Sequence, residues 1–113
     1  MFGILGKYVP PAPGLQSPAL WGDVDQVEEL FSGRAASIAA TPREFSFRYR
    51  SAAHFVDVFR SWYGPVHKAF GTLPEAEPAS LERDLIDLLE RSNTADGALV
   101  IPSEYLEVVV TRA

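Results

Sequence analysis

The last segment of the chain, Tyr105–Arg112, constrains the fold most, because it predicts a strand that needs cover. Its centre is an uninterrupted apolar run, Val108-Val109-Val110, in which apolar and polar residues do not alternate. A half-buried strand alternates, whereas such a run is typical of a strand that is covered on both faces. The sequence therefore predicts a final strand over 105–112 that is buried within a sheet.

A second extended segment covers residues 35–50 and contains Pro42. A proline there predicts either two strands or one edge strand with a bend. After the proline, apolar and polar residues alternate with a period of two, as in a strand with one covered face. The apolar positions are Phe45, Phe47 and Tyr49, and the polar positions are Glu44, Ser46, Arg48 and Arg50. We therefore expect a strand over 35–49.

Helices are predicted from apolar residues at helical spacing and from residues that cap or stop a helix. The first eight residues are typical of the end of one helix. Four more are expected at 23–32 (capped by Asp23 and stopped by Gly33), 51–63 (capped by Ser51), 65–70 (starting at Pro65) and 80–92 (capped by Ser80, after a linker at 75–79). The chain is thus expected to be a single α+β domain, residues 1–113, with four or five helices.

Composition excludes several functional classes. A net charge of −5 and a pI near 4.9 argue against a nucleic-acid interface, which needs a basic face. The chain has no cysteine, so it has no disulfide or thiolate chemistry, which fits a cytoplasmic protein. The apolar start, residues 1–6, is too short for a signal-peptide core or a membrane span. We therefore expect a cytoplasmic protein without nucleic-acid or membrane partners.

Three stretches of the chain resemble a known family. They are LGKYVPPAPGLQSPALWG (5–22), FRYRSAAHFVDVFRSWYGPVHKAF (47–70) and GALVIPSEYLEVVVTR (97–112). Together they are similar to the C-terminal half of class I S-adenosylmethionine-dependent methyltransferases, and most similar to those acting on small molecules. The resemblance implies that the strands at 35–49 and 105–112 are the sixth and seventh of that fold, a short antiparallel pair. Helix 23–32 would be the last crossover helix, and helices 51–92 a substrate-cap insertion between the two strands.

The resemblance also implies that the cofactor half of the fold would precede Met1. That half carries a glycine-rich turn after the first strand, where the backbone approaches the cofactor closely. The only similar pattern here is the weak Gly3-Ile4-Leu5-Gly6. We therefore expect no cofactor binding and no catalysis by the lone chain. S-adenosylmethionine would enter only if a partner chain supplies the missing half. A start site upstream of Met1 is the alternative.

Loss of the cofactor half also predicts a partner. The seventh strand would lack its fifth-strand neighbour, which leaves an unpaired apolar edge that can pair with another chain. Leaving several of the valines at 108–110 uncovered would cost more than a small domain can spare, since burying each is worth roughly 1.5–3 kcal/mol. We therefore expect a homodimer that forms through the exposed edge of the last strand.

Candidates for a substrate pocket are Trp62, Tyr63, His67 and Tyr105. His67 can act as a general base near neutral pH, with the two aromatic residues beside it, and Tyr105 stands at the rim of the last strand. The alternatives are a packing or solvent-facing histidine and a rim tyrosine with no ligand. The aromatic residues concentrated at 45–70 similarly predict either an apolar ligand pocket or the core. His54, in the first turn of its helix, is assigned no role.

No catalytic residue, cofactor-binding residue or metal ligand is predicted. The two histidines are separated by thirteen residues, without cysteine, and this spacing matches no metal-binding pattern. Asp84, Asp87 and Glu90 recur at helical spacing, which is typical of a solvated helix face. Three functions remain open: a non-catalytic dimeric remnant or interaction module, a small-molecule binding protein that uses the former substrate pocket, and the substrate-lid subunit of a split methyltransferase.

Overall fold

The computed structural model describes all 113 residues and has an α+β fold, as expected. The α-helices are α1 (Phe2–Tyr8), α2 (Val24–Leu30), α3 (Ala52–Trp62), α4 (Gly64–Thr72) and α5 (Glu77–Ser92), and a 3-10 helix at Pro18–Gly22 precedes α2. The strands are β1 (Ala35–Tyr49) and β2 (Leu99–Arg112), which form a two-stranded antiparallel sheet. None of the helices combines the length and apolar character needed to cross a membrane.

β1 is one continuous strand that runs through Pro42, so the prediction of a single edge strand is confirmed and the alternative of two strands is wrong. A proline has no N–H to give to a neighbouring strand. Within sheets it is confined mostly to edge strands, and β1 is one because the sheet holds only two strands.

β2 begins at Leu99, earlier than the predicted start at Tyr105. Pro102 interrupts the apolar pattern, so this part of the sequence resembles a loop. Leu99 is fully buried and Ile101 packs against the core, so this part of the strand is held by tertiary contacts. The prediction that β2 is covered on both faces is also wrong. Val109 is 57% exposed, because no element covers its face of the strand.

The chain divides into two compact units, and both strands pass from one into the other. The helical unit comprises Met1–Pro13 and Ser46–Pro102, and the ribbon unit comprises Gly14–Phe45 and Ser103–Ala113. The helical unit holds α1 and α3–α5, whereas the ribbon unit holds α2 and most of the sheet.

The helical unit has a continuous apolar core, because α3, α4 and α5 each turn an apolar stripe toward the others. The cluster consists of Leu5, Ala52, Phe55, Val56, Val66, Ala69, Phe70, Leu81, Leu85, Leu89 and Leu99. α3 starts where predicted, since the backbone N–H of His54 donates to the Ser51 hydroxyl at 3.0 Å. The predicted cap at Ser80 and linker to Ala79 are wrong. α5 begins at Glu77, because Pro78 is compatible with a first helical turn.

The ribbon unit has little core of its own. Asp23 caps α2 as predicted, accepting hydrogen bonds from the backbone N–H groups of Asp25 and Gln26. α2 ends at Leu30 with Phe31 as its C-cap, earlier than the predicted end at residue 32, and Gly33 at φ +75° lies in the turn that follows. Val27 is the one buried hydrophobic side chain in the unit. The half-buried apolar residues of its strands are Ala35, Ile38, Ala40, Leu106, Val108 and Val110.

Candidate functional site

Three of the four sequence-predicted pocket residues lie at the corner between α3 and α4. Trp62 ends α3, Tyr63 joins the helices, and His67 lies one turn into α4, where its backbone N–H donates to the Tyr63 carbonyl at 2.8 Å. Tyr105 belongs to the ribbon unit, where it is 48% exposed. The corner therefore brings Trp62, Tyr63 and His67 together in the helical unit, and Tyr105 does not belong to that cluster.

A cleft of about 370 Å³ opens beside this corner. Its lining consists of Asp57, Arg60, Ser61, His67, Phe70 and Gly71. Of the predicted residues only His67 contributes to it. The Trp62 side chain is 86% exposed and the Tyr63 ring packs edge-on against Phe59, with the ring centroids 5.1 Å apart.

His67 has a defined orientation at the cleft. Its Nδ1 lies 2.8 Å from the backbone carbonyl oxygen of Arg60, and since a carbonyl only accepts, Nδ1 carries the hydrogen. That hydrogen bond fixes the ring and leaves Nε2 as the atom available to a proton or a ligand. The Arg60 guanidinium lies over the Phe70 ring, with Cζ 4.6 Å from the centroid. The cleft thus offers one oriented imidazole and one fixed cation.

The chemistry of this cleft stops short of a catalytic arrangement. Ser61 forms no hydrogen bond with His67, so no nucleophile–base pair is present, and no carboxylate orients the imidazole. No group of three or more histidine, aspartate or glutamate side chains is placed to hold a metal ion. Because the lining holds Asp57 as well as Arg60 and His67, the arrangement is suited to binding a small polar group.

The second histidine has a structural contact. The backbone N–H of Arg50, at the end of β1, donates to Nδ1 of His54 at 3.3 Å, and the ring lies edge-on to Tyr49 at 5.5 Å. His54 therefore joins the end of the strand to the first turn of α3. Most of the aromatic residues of this region likewise pack on each other. Phe55 stacks on Phe59 with ring centroids 4.0 Å apart, which favours the core interpretation of the aromatic set.

A larger cleft of about 610 Å³ lies between α1 and α5. It is lined by Ile4, Lys7, Asp84, Asp87, Glu90 and Arg91. Beside it, the Tyr8 hydroxyl donates to a carboxylate oxygen of Asp84 at 2.5 Å. That hydrogen bond raises the pKa of Tyr8 above its ordinary value, because losing the proton would place two negative charges together. The lining mixes both signs of charge and shows no built ligand site.

The open edge of β2 is the feature of the ribbon unit that most invites a partner. The backbone N–H of Ala113 donates to the carbonyl oxygen of Arg34, the residue just before β1, at 3.1 Å. Ala113 therefore points its backbone groups toward β1, and so do the other odd-numbered residues at this end of β2. Successive residues alternate, so those of the even-numbered residues 104–112 point to the open edge. Pro102 has the same parity, as a proline within a strand requires.

Several side chains of this part of β2 are exposed, and few of them form ion pairs within the chain. Glu104, Tyr105, Val109 and Arg112 are all exposed, and Val109 is the most exposed apolar side chain of the strand. The single salt bridge of the protein joins the Arg43 guanidinium to Glu107, with Nε 2.7 Å from Oε2. Glu104 and Arg112 therefore take part in no ion pair within the chain.

No family model, no curated protein and no solved structure matches this chain. The resemblance to methyltransferases stays a prediction. Sequence reasoning placed His67 in a candidate site but missed Arg60, Ser61 and Asp57, which share its cleft. The spacing of Arg60 and His67, seven residues across a helix break at Gly64-Pro65, gave no signal that they meet.

Proposed function

We propose that this chain is a non-catalytic interaction module related to class I methyltransferases, and that it acts as a homodimer joined through the open edge of β2. The observation that carries the proposal is that edge: beyond Val100, whose backbone groups bond to Asn93 and Thr94, the strand from Glu104 to Arg112 has one side unpaired and exposed apolar side chains beside it. An edge of this length that is not covered by another element readily pairs with a second strand.

The energetics of the ribbon unit support a partner. A sheet of two strands is marginal in water, and three or more strands or a packed helix are needed for stability. With Val27 as its one buried hydrophobic side chain, the unit has little core to stabilise its strands. Pairing β2 with β2 of a second copy would give a four-stranded sheet and cover apolar area on both copies.

The relation to methyltransferases rests on the sequence resemblance and is supported by the order of elements. A crossover-type helix (α2), a strand (β1), three inserted helices (α3–α5) and a last strand (β2) follow one another in the order that the resemblance implies. In that fold the open edge of β2 is the place of the fifth strand, which belongs to the cofactor half. We therefore propose that the lone chain binds no S-adenosylmethionine. A cytoplasmic location is the one that the cysteine-free composition favours.

The test is the mass of the protein in solution, measured by sedimentation velocity at micromolar concentration. The wild type is expected to be a dimer. Val108→Pro removes a backbone N–H that points to the open edge and leaves the bonds to β1, so this variant is expected to be a monomer that keeps its helical circular dichroism. Trp62→Ala, an exposed site in the helical unit, is the matched control and should stay dimeric. A monomeric wild type contradicts the proposal.

A second candidate function is small-molecule binding at the α3–α4 corner, favoured by the orientation of His67. Its Nε2 and the Arg60 guanidinium flank a cleft whose volume lies in the range of small-ligand sites. Native mass spectrometry of the purified protein tests this function. A stoichiometric adduct that is lost in both His67→Ala and Arg60→Ala would make the chain a binding protein. A bare mass in wild type and variants alike argues against it.

A further inference from the structure

We infer that the two copies pair their β2 strands antiparallel about a two-fold axis at Val108, so that Glu104 of each copy lies opposite Arg112 of the other. This pairing rests on the proposed homodimer and specifies how it is built. It assigns a role to two exposed charges that have no ion-pair partner within the chain.

Backbone geometry limits where the axis can lie. In an antiparallel pair, residues that are directly opposite each other point their backbone groups the same way, either both toward the partner strand or both away. The outward-pointing residues of β2 are the even-numbered ones, so an even-numbered residue must oppose an even-numbered residue of the second copy. A two-fold axis therefore passes through a residue and never midway between two.

Charge then selects among the allowed axes. With the axis at Val108, Glu104 opposes Arg112 twice, once on each side of the axis. With the axis at Glu107, that carboxylate would lie directly opposite its own copy, and like charges opposite each other destabilise a sheet. With the axis at Val109, Leu106 would face Arg112 and Glu104 would lose the arginine.

Pro102 excludes the remaining central register. With the axis at Leu106, Pro102 would oppose Val110 in a pair that exchanges two backbone hydrogen bonds, and proline lacks the N–H for one of them. The Val108 axis keeps Pro102 outside the paired segment. In this register every outward N–H from Glu104 to Arg112 finds a carbonyl.

Apolar contacts agree with the same register. Val108 opposes Val108 at the axis, and Leu106 opposes Val110 on either side, all on the half-buried face of the strand. On the exposed face, Tyr105 opposes Thr111, an aromatic and β-branched pair of the kind that stabilises sheets. The face that is already half-buried in each copy thus continues across the dimer.

A charge swap tests the inference. Glu104→Arg and Arg112→Glu each place like charges opposite each other twice, so each is expected to weaken dimerisation about 2- to 30-fold at low salt. The double variant Glu104→Arg/Arg112→Glu restores opposite charges and should return to within about twofold of the wild-type dissociation constant. Glu75→Arg makes the same charge change on an exposed loop of the helical unit and should have no effect.

A cysteine reporter tests the axis directly, since the chain contains no cysteine of its own. Val108→Cys is expected to form a covalent dimer on oxidation, because opposite residues that exchange hydrogen bonds have Cα atoms about 5.5 Å apart, within reach of a disulfide. Leu106→Cys is the matched control. Its two copies would lie four residues apart along the strands, about 14 Å, and should not crosslink.

The outcomes separate this inference from the proposed function. The register is wrong if the charge swap leaves the dissociation constant of the dimer unchanged and Leu106→Cys crosslinks better than Val108→Cys. That result would still support the homodimer. A monomeric wild type overturns the proposed homodimer and the register with it. Restored affinity in the double variant supports both.

Discussion

The two units of this protein differ in how much of their apolar surface they bury. The helical unit holds every buried hydrophobic side chain except Val27. The ribbon unit holds most of the large hydrophobic side chains that stay exposed, namely Leu15, Trp21, Val24, Leu30, Phe45, Tyr105 and Val109. The helical unit therefore has the core that stabilises a small domain, whereas the ribbon unit exposes apolar side chains of the kind found at interaction surfaces.

The difference lies in how the elements of each unit find neighbours within the chain. Helices α3–α5 form a core from contacts close in sequence, which do not need a partner. The strands of the ribbon unit have one neighbour each and leave backbone groups at an open edge. Substitutions and hydrogen-exchange measurements test whether the two units differ in stability as their buried surfaces do.

The largest effect is expected from Leu81→Ala in the helical core. Leu81 is fully buried, so its truncation should lower the free energy of unfolding by about 2–5 kcal/mol through lost burial and the cavity left behind. Urea denaturation followed by circular dichroism measures the change. The matched variant Val109→Ala, in the ribbon unit, should change the stability of the monomer by less than about 0.5 kcal/mol. Equal losses in the two variants would abolish the contrast.

Hydrogen exchange should show the contrast amide by amide. The amides of α3 and α5 are expected to exchange slowly at every protein concentration. In the proposed dimer, the β2 amides that point to the open edge should slow as concentration rises. The slowing should be about threefold per tenfold rise above the dissociation constant, because the monomer fraction falls with the square root of concentration. Exchange in β2 that does not depend on concentration would contradict the dimer.

Removing the two helix caps gives a smaller, paired test. Ser51→Ala should cost about 1 kcal/mol of global stability, since α3 belongs to the core. Asp23→Ala removes the cap of α2 at similar local cost. It should raise exchange in α2 and leave the global denaturation midpoint nearly unchanged, because the ribbon unit contributes little to the core. A shift of the midpoint as large as that of Ser51→Ala would show that the units unfold together.

The smallest effect concerns Tyr8, whose pKa is raised by its hydrogen bond to Asp84. A raised pKa in the folded state means that folding favours the protonated phenol. The bond therefore stabilises the protein below the ordinary tyrosine pKa of about 10, and that stabilisation is lost as pH rises through the folded value. Titration of tyrosinate absorbance should shift to lower pH for one of the four tyrosines in Asp84→Asn. An unchanged titration curve would show that the bond does not form in solution.

The parts of the fold that could be predicted from sequence are those with local causes. Asp23 and Ser51 cap helices through bonds to residues two or three positions away, so their patterns are visible in the chain. The start of β2 could not be predicted, because Pro102 breaks the apolar pattern and burial of Leu99 depends on helices distant in sequence. Ser80 has the side chain of a typical cap, but α5 begins earlier, at Glu77, because Pro78 is compatible with the first turn of a helix.

In the candidate site, too, features with local causes could be predicted and features that depend on the packing of helices could not. The corner that holds Trp62, Tyr63 and His67 follows from the helix break at Gly64-Pro65. The contact between His67 and the Arg60 carbonyl depends on the angle at that break, which no residue pattern specifies. Tyr105 was grouped with the corner by analogy to the fold of the family. The open edge of β2 was expected from the resemblance, in which the fifth-strand neighbour is missing, and in the two-stranded sheet β2 has one neighbour only.

Pro42, inside β1, sets a limit on assembly. Pro42 has no N–H to donate to a further strand, and Arg43 adds charge beside it; both are features of edge strands that resist pairing. In the proposed dimer the two β1 strands form the outer margins of the joined sheet, so growth by a third copy meets a proline at either end. A chain that pairs with one copy of itself through β2, as proposed, would thus resist polymerising into filaments through β1.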